Sequence, residues 1–306
     1  MTQSIEQSLV TQFSDQVHVL SQQMGSRLKG KVMEMPVRGN KFTYEQLDKV
    51  EAIEIVTRHA ETVAQDIAHS RRGGVMRDFR TTLLLDQFDE LQVLIDPARG
   101  YAEAVARSIM RQYDRLVLSR ALGTVNVGRN LDQTITAVQD GVVTVGANAT
   151  GLTFDKLVEL HETFINAEVG TDLQEELFLC ITGAQHADLM KENELTSRDF
   201  TNAGNGSMTG QTAIDKGVMT KAAGFNLIVF GAGSTVPNPM LSKTGNIRHC
   251  IAFARSGMAV GMNKDLGVRV DNRPDRNNAQ QVQASIYFDA IRTEGSKVIQ
   301  VDCVEV

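Results

Sequence analysis

Cysteine is scarce in this chain: Cys180, Cys250 and Cys303 are the only three in 306 residues, and no two form a C-x-x-C pair. Such spacing offers neither a disulfide framework nor a thiolate zinc site, so the three are expected as buried thiols in a reducing compartment. Long apolar runs are also missing. Nowhere do about 18 apolar residues follow one another, and Met1-Thr2-Gln3-Ser4-Ile5-Glu6 has no basic stretch leading into an apolar one, so neither a signal peptide nor a membrane partner is expected. Basic residues are not in excess: Lys+Arg number 31 against Asp+Glu 37, a net charge of −6. Avid nucleic-acid binding, which takes a cationic side chain at each phosphate, is therefore disfavoured except at local patches.

The residue patterns that carry catalysis are incomplete as well. Gly231-Ala232-Gly233 follows a predicted strand as a dinucleotide-binding turn would, but Val236 occupies the third glycine position, and Pro237 and Pro239 obstruct the helix that must follow. Gly206 through Thr212 lacks the first glycine and the lysine of a phosphate loop, since Asn205 and Gln211 stand there. None of His18, His59, His69, His161, His186 and His249 has a partner at the i, i+4 spacing that offers a metal two ligands from one helical face. Glu175 and Glu176 are adjacent and diverge if extended, so they are no acid–base pair. No catalytic residue, cofactor or metal is assigned. A triad assembled from distant positions stays open, because such sites are recognised by geometry and not by order.

What is present is an ordinary globular composition, 42% hydrophobic and 22% charged, at a length where a single core stops growing, roughly 250–300 residues. Two packed subdomains, or one with extensions, are expected. Residues 4–24 read as an amphipathic helix with Ile5, Leu9, Phe13, Val17, Leu20 and Met24 on one face, Ser4 with Gln7 as a capping box and Gly25 at its end. The stripe suits docking on its own core as well as on a neighbouring chain. From Gly25 to Ile95 no continuous core face emerges; the alternation from Val75 to Leu85 after Gly73-Gly74 predicts a strand leaving a tight turn, hence an extended hairpin.

A helix is predicted from Pro97 to Leu122, with Asp96 as cap and Gly123 past its last turn. Tyr101, Val105, Ile109, Tyr113 and Leu116 mark one face, while Glu103, Arg107, Arg111 and Arg115 form a charged stripe that is either solvated or a contact surface. A second helix is expected at Phe154–Val169, capped by Thr153, stapled by Leu152 and Leu157 and closed by Gly170. Strands at Leu177–Thr182 and Phe225–Phe230 and a short helix at Ala184–Glu192 indicate an α+β or α/β subdomain, with surface loops at Thr201–Gly210 and Gly231–Ser242. Val282 to Ala290 alternates as a strand, and Lys297–Glu305 after the Glu294-Gly295-Ser296 turn is expected to pair with it as a closing hairpin.

An ordered set of short stretches resembles the major capsid proteins of short-tailed and other tailed phages. They are Gly25-Ser26-Arg27-Leu28-Lys29-Gly30, His69-Ser70-Arg71-Arg72, Leu94-Ile95-Asp96-Pro97 running through Tyr101-Ala102, and Ala121-Leu122-Gly123-Thr124. Ala254 through Met262, Val268-Arg269-Val270 and Gln281 to Ile291 continue the series. The resemblance implies an α+β Hong Kong 97 type capsid fold. It places an N-terminal arm at 1–35, an extended loop at 36–90, a peripheral domain with its long spine helix at 91–125 and 265–306, and an axial domain at 126–264. It also explains why residues 26–95 lack a core of their own, since in the family the extended loop lies across a neighbouring subunit.

The function so implied is a shell subunit that assembles as hexamers and pentamers in the host cytoplasm and encloses double-stranded DNA without sequence-specific contacts. A separate scaffolding protein, a portal and a decoration protein are the implied partners. No scaffolding segment is recognisable, and the initial Met1 favours a separate scaffold. Lysine cross-linking through Lys41 or Lys49 is not expected. Candidate subunit contacts are Ile5, Leu9, Phe13, Val17, Leu20, Arg71, Arg72, Arg107, Arg111 and Arg115, with Arg71 and Arg72 placed at an exposed tip beside Gly73-Gly74. The alternatives are a bacterial nanocompartment shell of the same fold and, from another class, an oligomeric cytosolic enzyme.

Overall fold

The computed structural model describes residues 23–54, 57–58, 64–85, 98–146, 150–169, 175–192, 219–232 and 240–305. The arm helix at 4–24, with Ile5, Leu9, Phe13, Val17 and Leu20, lies outside them apart from its last residues, as do the loop at Thr201–Gly210 and the caps Asp96 and Pro97. The described chain forms two compact units. One contains Asp78–Gln112 and Lys264–Ile286; the other contains Arg27–Arg77, Tyr113–Asn263 and Tyr287–Val306.

The predicted long helix is α1, Ala98–Ala121, about 36 Å at 1.5 Å per residue. Its apolar stripe is buried at Val105, Ile109, Tyr113 and Leu116, and the burial widens at Val117, Leu118 and Ala121. Tyr101 stays partly exposed. The second helix, α2, is Phe154–Asn166, three residues shorter than expected. Leu152 and Leu157 are both fully buried, but the Thr153 side chain makes no capping hydrogen bond. Glu168 takes a left-handed conformation at φ 58°, and Val169 N–H returns to Phe164 O to close the last turn; Gly170, expected at the helix end, lies outside the described residues. The third helix, α3, is Gly183–Lys191, held by a capping box between Thr182 and Gln185.

The main sheet has seven strands. β7 (Val143–Val145), β15 (Val298–Val304), β12 (Ile247–Ala254), β8 (Leu177–Thr182), β10 (Phe225–Phe230) and β9 (Lys221–Ala222) follow in that order, with β11 (Lys243–Thr244) paired to β12. β8 and β10 are parallel over their full length, whereas β12 is antiparallel to both β8 and β15. Every residue of β8 is buried, which is why its sequence reads as a continuous apolar run and not as an alternation. Cys250 and Cys303 lie on adjacent strands, two residues out of direct opposition, and so face the same side of the sheet; Cys180 stands opposite Ile251 and faces the other. All three are free and buried. Burial pushes the Cys180 thiol far up, and the hydrogen bond that Cys250 donates to Cys303, followed by burial, does the same at Cys250, so both stay protonated and inert.

A four-stranded sheet runs β2 (Lys41–Leu47), β3 (His69–Val75), β5 (Val125–Val127), β6 (Gln133–Ile135). Gly73 and Gly74 sit inside β3 and form no turn, which corrects the expected tight turn. They are small because something passes close: a Cβ on Gly73 would lie 2.6 Å from Phe42 O and from Leu131 Cδ1, and one on Gly74 would lie 2.6 Å from the Phe42 ring. The strand expected after them is present as β4, Arg77–Leu85.

The last sheet is ordered β1 (Met33–Pro36), β13 (Met258–Arg273), β14 (Ala279–Arg292), β4. β14 carries the expected alternation from Val282 to Phe288, but it does not form a hairpin with β15. Both edges of β14 are already occupied, by β13 and β4. The short turn at Gly295–Lys297 therefore carries the chain into the seven-stranded sheet, where β15 finds edges on β12 and β7. β14 makes its hairpin with the strand before it, because the turn at Pro274–Asn278 is too short for any connection but an antiparallel one.

Candidate subunit interface

The two arginines singled out in the sequence lie next to each other on β3 and do different things. Arg71 faces Glu45 across the β2–β3 ladder and binds its Oε1 through Nε at 3.1 Å and through Nη2. This pair is open to solvent, and an exposed ion pair contributes under about 1 kcal/mol. Arg72 points to the other side and clasps Asp140, with Nη1 to Oδ2 at 2.7 Å and Nη2 to Oδ1 at 2.6 Å. Asp140 is buried and also accepts Arg292 Nε at 2.6 Å. Arg292 is itself fully buried and donates through Nη1 to Ala121 O at 2.7 Å and Gly123 O at 3.1 Å, the carbonyls left open where α1 ends. One buried carboxylate thus joins two guanidinium groups, and the second of them caps the long helix. Arg72 accordingly stands in an internal node and not at the tip of a loop, because its carboxylate partner is on its own chain.

A second carboxylate supports the same corner. Asp289 accepts Arg120 Nε at 3.2 Å and Nη2 at 3.3 Å; burial raises its pKa, outweighing the pull of Arg120. Asp114 takes the backbone N–H groups of Arg27 and Leu28, fastening the entry of the chain. Lys156, almost buried, donates to Thr150 O at 2.9 Å and Asp302 O at 2.8 Å, so its charge is met by backbone carbonyls.

The charged stripe of α1 is partly solvated, with Glu103 exposed. Arg107, Arg111 and Arg115 are each half-buried, and Arg107 is ion-paired with Glu103 one turn earlier. The face of β3 and β5 carries an open cavity of about 510 Å³ lined by Glu45, His69, Arg71, Arg72, Arg129 and Ile135 among others. The end of β2 and the connection from it to β3 expose Leu47, Val50, Ile53 and Ile67, with Leu47 64% accessible.

One arrangement resembles catalytic machinery. His249 Nδ1 lies 2.6 Å from Asp302 Oδ1, and its Nε2 lies 3.0 Å from Thr244 Oγ1. Gln300 Nε2 is 2.9 Å from the same Asp302 oxygen and 3.0 Å from the same histidine nitrogen. The four side chains belong to β11, β12 and β15, and the hydroxyl sits in a hairpin, with Thr244 opposite Ile247, so the network fastens the sheet's end. Among the described residues no group of three His, Cys, Asp or Glu could hold a metal ion, and no helix is long and apolar enough to cross a membrane.

Residues 5–305 match the family described as phage capsid protein. No curated protein matches the chain. Solved structures do. That of Mycobacterium phage Che8 shares 13% identity with a TM-score of 0.68, covering 96% of this chain and 97% of its own. The capsid of cyanophage P-SCSP1u shares 12% at 0.70, covering 100% and 96%; the head of Helicobacter pylori bacteriophage KHP40 shares 10% at 0.69, covering 98% and 96%. At these identities the likeness establishes the fold, the Hong Kong 97 type.

Proposed function

The chain belongs to the phage capsid protein family, and from that premise we propose how this major capsid protein builds its shell. Self-association into an icosahedral shell is its function, and the virion capsid its location. The family match over nearly the whole chain carries this reading. The finer proposal assigns the parts. The spine helix α1 is the rigid member of the peripheral domain at 91–125, clamped at its end by Arg292 and Asp140. The extended loop at 36–90, with Leu47, Val50, Ile53 and Ile67 exposed, lies on the next subunit. The axial domain at 126–264 is built on the seven-stranded sheet, in which β15, expected with the peripheral domain at 265–306, also pairs.

Subunits then group as hexamers and pentamers around packaged double-stranded DNA, which the lumenal surface meets through scattered cations and not through bases. Arg71, Arg107, Arg111 and Arg115 are the described members of the proposed contact set, with Ile5 to Leu20 as the apolar stripe of the arm. Arg72 serves the contact indirectly, by holding β3. A scaffolding protein, a portal and a decoration protein are the partners this proposal carries, with assembly in the host cytoplasm.

Sedimentation and negative-stain imaging of the expressed chain test the reading. Closed shells or sheets of hexamers are expected; a small oligomer that never assembles, alone or with its scaffold, overturns it.

A further inference from the structure

β13 is the longest strand among the described residues, and its two halves have different neighbours. Residues Met258–Met262 lie beside β1, with Met33 to Pro36 in parallel register to Ala259 to Met262. From Lys264 to Arg273 the strand keeps β14 on one side, and among the described residues no strand lies on the other. Both faces are open there as well: Val268 is 41% and Val270 52% accessible, and Arg269, Asp271 and Asn272 are exposed. A free strand edge of this length is a pairing template that monomeric proteins normally blunt.

The free edge can be read residue by residue. Met262 O accepts Val37 N–H from the β1 side, so by the two-residue alternation of a strand the even-numbered residues present their N–H and C=O groups to that same edge. Leu266 N–H is satisfied by the Asp265 carboxylate at 2.7 Å, which closes the edge at its near end. Val268, Val270 and Asn272 then offer their backbone groups outward. The odd residues between them carry opposite charges, Arg269 and Asp271, and neither side chain makes an ion pair or hydrogen bond among the described residues. Arg273, by contrast, is engaged with Asp275 and Gln281.

We propose that the Gly267–Arg273 edge of β13 pairs antiparallel with the same edge of a second copy of this chain, about a local two-fold axis centred on Val270. The register follows from chemistry. With Val270 opposite Val270, the outward backbone groups of 268, 270 and 272 form the hydrogen-bonded pairs. Arg269 then faces Asp271 of the copy, and Asp271 faces its Arg269, at the non-hydrogen-bonded positions where side chains come closest. Moving the axis by one residue puts Asp271 on Asp271 and Arg269 on Arg273, so the charge pattern selects one register. The contact is isologous, which suits the two-fold positions of a closed shell. It rests on the shell reading and adds the surface and the register.

Charge swapping tests it. Arg269→Asp or Asp271→Arg alone places like charges opposite each other at two points of the ladder, and the yield of sedimenting particles falls at least about tenfold. The double variant Arg269→Asp with Asp271→Arg restores opposite pairing and restores the yield. Singles that assemble normally, or a double that fails like the singles while the subunit stays folded by circular dichroism, overturn the proposal. Position is tested separately with Val270→Cys in formed particles. Its Cα lies about 5.5 Å from its own copy across the axis, within reach of a disulfide or a short thiol crosslinker, whereas Val268→Cys lies roughly 14–15 Å from its copy. A crosslinked pair at 270 and none at 268 is expected, and no crosslink at 270 overturns the edge contact alone. Unmodified chain that forms no shell overturns the shell reading, and this contact with it.

Discussion

β12 and β13 follow each other across one short turn, and β12 and the outer half of β13 meet water differently. From Cys250 to Ala254 every residue of β12 is buried, with β8 and β15 on its two edges. From Asn263 to Asn272 β13 has exposed residues on both faces and a strand along one edge only. The first strand has a partner on both edges within its own chain and covers its side chains from Cys250 to Ala254. The second is complete in geometry but not in partners. In a protein that functions by joining copies of itself, this difference divides residues that specify the subunit from residues that specify the shell. Substitutions in the two classes should therefore separate folding from assembly.

The largest expected effect falls on the buried node. Arg292→Ala leaves Asp140 with one cation and opens two carbonyls at the end of α1, and should cost about 3–5 kcal/mol, seen as a lowered chemical-unfolding midpoint of the isolated subunit. An unchanged midpoint would remove the node from the account. Phe253→Ala in β12 should also cost about 3–5 kcal/mol, because a fully buried ring is lost beside Phe178.

A smaller effect depends on pH. The hydrogen bond and charge of Arg248 hold the Glu305 carboxyl below its ordinary range. Its contribution is therefore full above the unfolded carboxyl pKa, about 4.3, and is lost as pH falls through the lower folded value. Glu305→Gln should weaken the subunit at neutral pH and flatten the acid limb of its stability profile. Parallel profiles for both proteins would contradict this. The smallest effect belongs to the open strand: Val268→Thr should move the subunit's unfolding midpoint by no more than about 0.5 kcal/mol equivalent, since little surface is buried there.

What could be read from the sequence followed the same division. α1, α2, α3, β8 and β10 were legible because each carries a local signal, whether a helical stripe, a cap or an unbroken apolar run. The partner of β15 was not, because alternation specifies a strand without naming its neighbour, and the edges of β14 were taken by β13 directly before it and by β4, far away in sequence. Gly73-Gly74 read as a turn since glycine commonly marks one; here it marks the passage of Phe42 and Leu131. Of the candidate contacts, Arg71 and Arg72 are adjacent in sequence and yet differ in role, because a strand turns neighbours to opposite faces, and Asp140, which decides the role of Arg72, lies 68 residues away. The free edge of β13 had a trace in the alternation Arg269, Val270, Asp271, but nothing local tells an open edge from a covered one.

Amide hydrogen exchange, followed in the dissociated subunit and in assembled shells, tests the division most directly. The account predicts slow exchange of β8, β12 and β15 in both forms, and exchange at Val268, Val270 and Asn272 that is fast in the subunit and slow in the shell. Equal rates at those three residues in the two forms would contradict it.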